Sequence, residues 1–245
     1  MNILLIGNSF SVDATRYLHQ IAKSTGEKID VATLYIGGCP LSTHYKNMLS
    51  CKEHYELVYN GSSTNFFVNI NDALLNREWD VVTVQQVSSK SVDYKTYQPY
   101  LSKLVKRIRS LCPSAKIIVH QTWSYEEGSE RLTKELGYFS RNEMTDDIVK
   151  ANLLAREEVN AYGIIPSGQL INSLADAKVG KLHRDTYHLS LGLGRYAVAL
   201  LWFRLLTGNS VKGVKFCDLD EKITKRQEKI VKKVVDSFSP IFSKE

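Results

Sequence analysis

The chain lacks any run of about 20 apolar residues, so no segment is expected to cross a bilayer. Its first seven residues hold no basic side chain and only one short apolar run, Ile3–Ile6, too brief for a secretory h-region. The cytoplasm is therefore the default expectation, unless a leader was lost and replaced by Met1. Cysteine is scarce: Cys39, Cys51, Cys112 and Cys217 form no Cys-x-x-Cys pair, which removes zinc-ribbon and thioredoxin-like readings. A Cys39–Cys51 bridge stays open, with reduced thiols expected in a chain this size. There is no repeat, no low-complexity tract and no linker. Three signatures are missing as well: the phosphate-binding G-x-x-x-x-G-K-[ST] loop, the H-E-x-x-H zinc helix and the G-x-S-x-G elbow. Gly192-Leu-Gly194-Arg-Tyr-Ala197 matches a dinucleotide fingerprint in letters, but it follows a loop and opens no βαβ unit.

What is present suits one large core. The chain has 245 residues, 43% apolar and 24% charged, and reads as a single domain spanning 1–245. The chain carries a net charge of +6, and in its closing segment Lys222, Lys225, Arg226, Lys229, Lys232 and Lys233 alternate with Ile223, Ile230 and Val234. That pattern is a solvated helix face over an apolar stripe, so neither nucleic acid nor a membrane is expected as partner.

Short apolar runs at Ile3–Ile6, Val31–Ile36, Val81–Val84 and Ile117–Val119 read as buried strands, with Ile164-Ile165-Pro166 a short fifth. Helical patterns intervene at 13–23, 97–111 and 146–162, and two more close the chain at 191–206 and 218–238. Alternation of this kind predicts a three-layer α/β/α sandwich around a mainly parallel sheet of about five strands, with right-handed crossovers. Two stretches break the rhythm. Residues 54–70 read as an inserted hairpin, Tyr55–Tyr59 and Phe66–Ile70, around Asn60-Gly-Ser-Ser-Thr64. Residues 123–141 are polar, follow a strand, and suit a loop over a site.

The chemistry-bearing residues lie near opposite ends. The first strand runs into Gly7-Asn8-Ser9-Phe10-Ser11, which sets a serine at the carboxyl edge of a parallel sheet, where ligands bind. Capping the next helix is the plain alternative for that serine. Far away, Asp185-Thr186-Tyr187-His188 precedes a late helix; one tight turn can set the carboxylate on imidazole Nδ1 and leave Nε2 free to take a proton from serine.

Together these blocks resemble the SGNH (GDSL-like) hydrolase superfamily, with the first block looking like a bacterial subgroup that opens Gly-Asn-Ser-Phe-Ser. The resemblance implies a flavodoxin-like sheet and a serine hydrolase acting on carboxylic esters. Ser9 would be the nucleophile, with His188 and Asp185 as partners and no metal or organic cofactor. It also implies an oxyanion hole from the Ser9 N–H and, in Gly37-Gly38-Cys39, a glycine N–H taken here as Gly38. Two departures stand out: Asn8 replaces the family's aspartate, and Val84-Gln85-Gln86-Val87-Ser88 replaces the Gly-x-Asn-Asp block. A glutamine amide can donate to an oxyanion, so Gln85, or its neighbour Gln86, is assigned that role; a structural glutamine bonding nearby backbone is the alternative. Asn8, Tyr35, His120 and Trp123 are candidates to line a substrate cleft, and aromatic faces there suit a sugar ring. The expected partner is thus a small-molecule or carbohydrate ester, with O-acetylated sugar favoured. An inactive carbohydrate-binding protein on the same fold is the rival.

Overall fold

Side chains alternate across a strand, so a strand covered on both faces must be apolar at nearly every position. Asn2–Gly7 (β1) meets that demand: Ile3 and Leu5 enter the core on one side, Leu4 and Ile6 the core on the other, and all four are fully buried. The computed structural model describes residues 1–242. In it β1 pairs in parallel with Asp30–Tyr35 (β2) on one flank, Ile3 beside Val31. On the other flank lies Val81–Val84 (β5), with Ile3 beside Val81. Lys116–His120 (β6) and Gly163–Ile165 (β7) extend the parallel set beyond β5.

Among the described residues the sheet has seven strands where about five were expected: beyond β2 it continues through Tyr55–Tyr59 (β3) to Ser62–Val68 (β4), giving the order β4-β3-β2-β1-β5-β6-β7. The parallel five lie at the expected runs. The additional two are the hairpin of β3 and β4, which adds antiparallel to β2. Its second strand begins earlier than the expected residue 66. The turn is confined to Asn60-Gly61, a dipeptide suited to a two-residue hairpin. As the sheet edge, β4 needs no apolar run; Phe66 and Phe67 stay exposed at its far end.

Helices cover both faces. Leu41–Ser50 (α3), Ile70–Leu75 (α4) and Tyr100–Leu111 (α5) close one side, α5 through Leu101, Leu104, Val105 and Ile108. The other side is covered by Ser9–Thr15 (α1), Leu18–Ser24 (α2), Ser167–Asp176 (α7) and Leu193–Thr207 (α8). The single helix expected over 13–23 is broken at Arg16–Tyr17. Arg141–Glu158 (α6) sends Met144 and Ile148 to one core and Ala151 and Ala155 to the other. Helix α8 is apolar around nearly its whole circumference and so must be buried on all sides. Lys225–Asp236 (α9) supplies its outer cover through Val231 and Val235, entered by a Thr224/Gln227 capping box, with Lys225, Lys229 and Lys233 outward. All four cysteines are free, so Cys39 and Cys51 do not pair. Among the described residues no helix is long and apolar enough to cross a membrane.

Histidines are buried within this frame. Burial pushes His44 and His120 down to about 3. His183 falls to about 4, because burial outweighs the opposing pull of the Ser124 carbonyl and Asp185. Neither ring nitrogen of His120 has a hydrogen-bond partner among the described residues. Their folded-state values lie below the unfolded value of about 6.5, so the unfolded chain takes up protons first as pH falls. Stability is therefore full above about pH 6.5 and lost downward, each histidine contributing at most about 1.4 kcal/mol per pH unit. Urea unfolding between about pH 6 and pH 4.5 should show this decline. His120→Phe should shallow it by close to one proton's worth; an unchanged slope would show that residue 120 is not buried neutral.

Candidate active site

The end of β1 is built for close approach. A Cβ on Gly7 would lie 2.0 Å from Ser11 Oγ and 3.1 Å from Gln85 Oε1, so only glycine fits there. Asn8 then leaves the strand in extended backbone and caps α1, its Oδ1 accepting from the Phe10 N–H at 3.0 Å. The cap is thus asparagine, and Ser9, the first helical residue, keeps its side chain for other use. Ser9 Oγ lies 2.8 Å from His188 Nε2. His188 Nδ1 lies 2.8 Å from Asp185 Oδ2, and Asp185 Oδ1 accepts the His188 backbone N–H at 2.9 Å. Partial desolvation pushes the Asp185 carboxyl up. The ring and backbone N–H bonds from His188, with the charges of His188 and Arg184, outweigh it and hold the carboxyl below the usual aspartate value. A hydroxyl, an imidazole and a carboxylate in this order can move a proton off the hydroxyl while the carboxylate stabilises the imidazolium.

The loop that delivers His188 is pinned at many points. His183 and Leu189 form an isolated antiparallel bridge, with Arg184 N–H donating to the His188 carbonyl at 2.9 Å and Ser190 N–H to Leu182 at 2.7 Å. Within it Thr186 takes φ +72°, a left-handed conformation that strains a β-branched residue by on the order of 1 kcal/mol or more. The Glu126 N–H holds the Thr186 carbonyl at 2.7 Å, and the Trp123 indole N–H holds that of Tyr187 at 2.8 Å.

Beneath the loop sits Asp13, one helical turn after Ser9 on the same face of α1 and 1% exposed. Its carboxylate accepts from Arg184 at 3.0 and 3.1 Å, from Arg195 at 2.8 Å and from the Leu189 backbone N–H at 3.0 Å. Arg195 continues to Asp220 at 3.0 Å, which Arg16 grips at 2.7 Å. The helix that presents Ser9 is thereby tied to the loop that presents His188. The sequence signal for this clamp was an aspartate four residues after the serine on an otherwise apolar helix face.

The other expected site residues divide. Among the described residues the Ser9 and Gly38 N–H groups have no protein acceptor, and both residues line the cleft. The glutamine assignment is corrected: Gln85 is buried and its amide is committed, Nε2 donating to Asn8 Oδ1 at 3.0 Å and Oε1 accepting from Ser11 Oγ at 2.5 Å. Gln86 donates to the Thr96 carbonyl at 2.9 Å and accepts from the Leu41 and Val87 N–H groups. Neither side chain is available to an oxyanion. Gln85 acts through Asn8, whose Nδ2 then faces the Cys39 carbonyl at 3.3 Å and holds the Gly37–Cys39 turn beside Ser9. Asn8 and Tyr35 do line the cleft. His120 and Trp123 do not: His120 lies in the core with its ring edge-on to Trp202, and Trp123 is fully buried, stacked on Phe10 at 4.2 Å. Trp123 is instead a prop for the His188 loop.

The cleft opens over the carboxyl ends of β1, β2 and β5, where strand order reverses around β1, and holds about 560 Å³. Its far wall comes from the polar stretch after β6: Tyr125, Arg131, Glu135 and Leu136, facing Ser88, Tyr187 and His188. Sequence patterning marked that stretch as a loop but did not single out Arg131, Tyr187 or Ser88. Among the described residues no group of three or more His, Cys, Asp or Glu side chains is arranged to hold a metal.

Comparison with known proteins supplies relatives. The family model DUF4886, described as a domain of unknown function, matches residues 2–237. A DUF4886 family protein from Bacteroides uniformis superposes with TM-score 0.88 at 31% identity, over 96% of this chain and 93% of that one. A candidate SGNH hydrolase from Slackia heliotrinireducens superposes at 0.59 with 23% identity, over 83% of this chain and 97% of that one. An acetyl xylan esterase from Geobacillus stearothermophilus does so at 0.53 with 15% identity, over 83% and 93%. At the two lower identities the likeness is one of fold, and this chain has the α/β/α fold that such hydrolases share. A search of curated proteins finds no match.

The clamp makes a stability prediction. Asp13→Ala leaves Arg184 and Arg195 without their shared buried carboxylate. It should lower the unfolding free energy by about 3 kcal/mol, the lower end for a broken buried pair because both arginines keep some water contact. Glu130→Ala, which breaks the exposed Lys134 pair, should change it by less than about 0.5 kcal/mol. Equal losses in urea titrations would show that the clamp carries no special weight.

Proposed function

Because the chain belongs to DUF4886, a family described only as a domain of unknown function, we propose an activity from its own geometry: a serine esterase in which Ser9, His188 and Asp185 act as a catalytic triad. The observation that carries this reading is the unbroken run of hydrogen bonds, 2.8 Å from Ser9 Oγ to His188 Nε2 and 2.8 Å from His188 Nδ1 to Asp185 Oδ2, at the floor of an open cleft.

Ser9 Oγ attacks the ester carbonyl as His188 Nε2 takes its proton, and Asp185 holds the resulting imidazolium. The carbonyl oxygen, now negative, is received by the N–H groups of Ser9 and Gly38. Collapse breaks the bond to the alcohol oxygen, which leaves with the proton from His188. Water then attacks the acyl-serine, gives a proton to the same nitrogen, and the acid departs as Ser9 Oγ recovers it. The Gln85–Asn8–Cys39 relay holds the Gly38 turn in register and gives no donor of its own. No cofactor enters these steps.

For substrate we favour O-acetyl groups on carbohydrate. The support is a polar cleft walled by Tyr35, Tyr125 and Tyr187, whose rings suit sugar faces, with the Ser88 hydroxyl among them, and a fold shared with an acetyl xylan esterase. The intact Ser9–His188–Asp185 chain favours an enzyme over an inert carbohydrate-binding protein.

The purified protein should hydrolyse 4-nitrophenyl acetate and be labelled at Ser9 by a fluorophosphonate. Ser9→Ala should abolish labelling and lower kcat by about 10⁶-fold. Asp185→Asn, which leaves His188 in the wrong tautomer, should lower kcat by up to about 10⁴-fold. Wild-type rates in Ser9→Ala would end the assignment. Release of acetate from acetylated oligosaccharides tests the substrate class, and turnover of long-chain acyl esters alone would rule it out.

A further inference from the structure

A polypeptide that binds only neutral sugar has no use for an unpaired cation in its cleft, yet Arg131 lines this one. The other two arginines near His188 are both paired: Arg184 with Asp13, and Arg195 with Asp13 and Asp220. The Arg131 side chain makes no hydrogen bond or ion pair within the described residues, although acidic neighbours surround it in sequence. Glu130 is engaged by Lys134 at 2.6 Å, Glu127 lies 3.6 Å from Arg141, and Glu135 is exposed and more than 4 Å from the Arg131 guanidinium.

The arginine is nonetheless held. Residues Arg131–Glu135 form one π-helical turn, a distortion that recurs at functional sites, and Leu132 anchors that turn in the core with no exposure. The guanidinium carbon stands 4.3 Å over the Tyr187 ring, and Tyr187 in turn packs 3.9 Å from the His188 ring. The stacking holds the guanidinium against Tyr187 at the wall of the cleft. A forked donor with no protein acceptor, separated from the imidazole by the Tyr187 ring, matches a planar carboxylate.

We propose that the cleft takes esters carrying a carboxylate close to the scissile bond, with Arg131 as the specificity-determining residue. This rests on the esterase reading. The carboxylate belongs either to the acyl part, as in a monoester of a dicarboxylic acid, or to the alcohol part, as in an O-acetylated uronic acid. Glu135 offsets little of the attraction, because it is solvent-exposed and its charge is screened.

The experiment compares kcat/KM for matched pairs. In one arm a hemisuccinate and a butyrate of the same neutral alcohol are hydrolysed. In the other, acetate release is followed from O-acetylated oligogalacturonate and from an O-acetylated neutral oligosaccharide. In the wild type the acidic member of at least one pair should be preferred by about 10–100-fold, the range for charge-assisted hydrogen bonds, and the arm that shows it names the source. Arg131→Gln should bring that ratio close to one, and Arg131→Lys, which keeps the charge and loses the fork, should fall between. Because the readout is a ratio, partial loss of folded protein does not alter it. Neutral esters turned over with no preference in either arm, or a preference that survives in Arg131→Gln, would overturn this inference and leave the esterase reading standing. No turnover of any ester, with no fluorophosphonate label on Ser9, would overturn both.

Discussion

One buried carboxylate carries the alignment of the site. Asp13 takes donors from Arg184, Arg195 and the Leu189 backbone, and those three belong to the loop and helix that deliver and follow His188. The carboxylate itself rides on the helix that begins with Ser9. A charge kept from water must be matched by excellent geometry or it weighs against folding. Here the match is made only when two distant segments lie in one relative position. The hydrogen bond between Ser9 and His188 is then a consequence of that position and need not be strong enough to create it.

A second layer of restraint works with neutral groups. Gln85, sealed from the cleft, orients Asn8, and Asn8 both caps α1 and faces the Cys39 carbonyl. Trp123 stacks on Phe10 and donates to Tyr187. Residues at the ends of β1, β2, β5 and β6 thus fix one another's side chains before any ligand arrives, so the cleft is preorganised. The strained Thr186 turn fits this picture, since its cost is borne by the many contacts around it.

The parallel strands were legible because burial on both faces leaves a residue-by-residue apolar signature, and Val81–Val84 falls at the boundaries read from sequence. The edge strand Ser62–Val68 left no such mark: its side chains face solvent, so its pairing comes from the backbone and the Asn-Gly turn. The break between α1 and α2 is invisible to a periodicity that continues across it. Ser9, Asp185 and His188 could be singled out because each type has few reasons to stand where it does. The glutamines could not be assigned correctly, because an amide can serve backbone, side chain or ligand equally well and sequence does not say which way it faces. The clamp at Asp13 could not be assembled from sequence, since its arginine partners lie more than 170 positions along the chain.

That separation also governs when the molecule becomes competent. Ser9 and His188 are 179 residues apart, the first presented by the opening strand, the second by a loop that α8 must back. During synthesis the amino-terminal half emerges from the ribosome early, with its sheet strands and its serine already exposed. The imidazole and its arginine-bound support follow only after most of the polypeptide has been made. A nascent chain halted before α8 therefore has all its sheet strands and its serine, but lacks the helix that backs the His188 loop and the Arg195 that completes the Asp13 clamp.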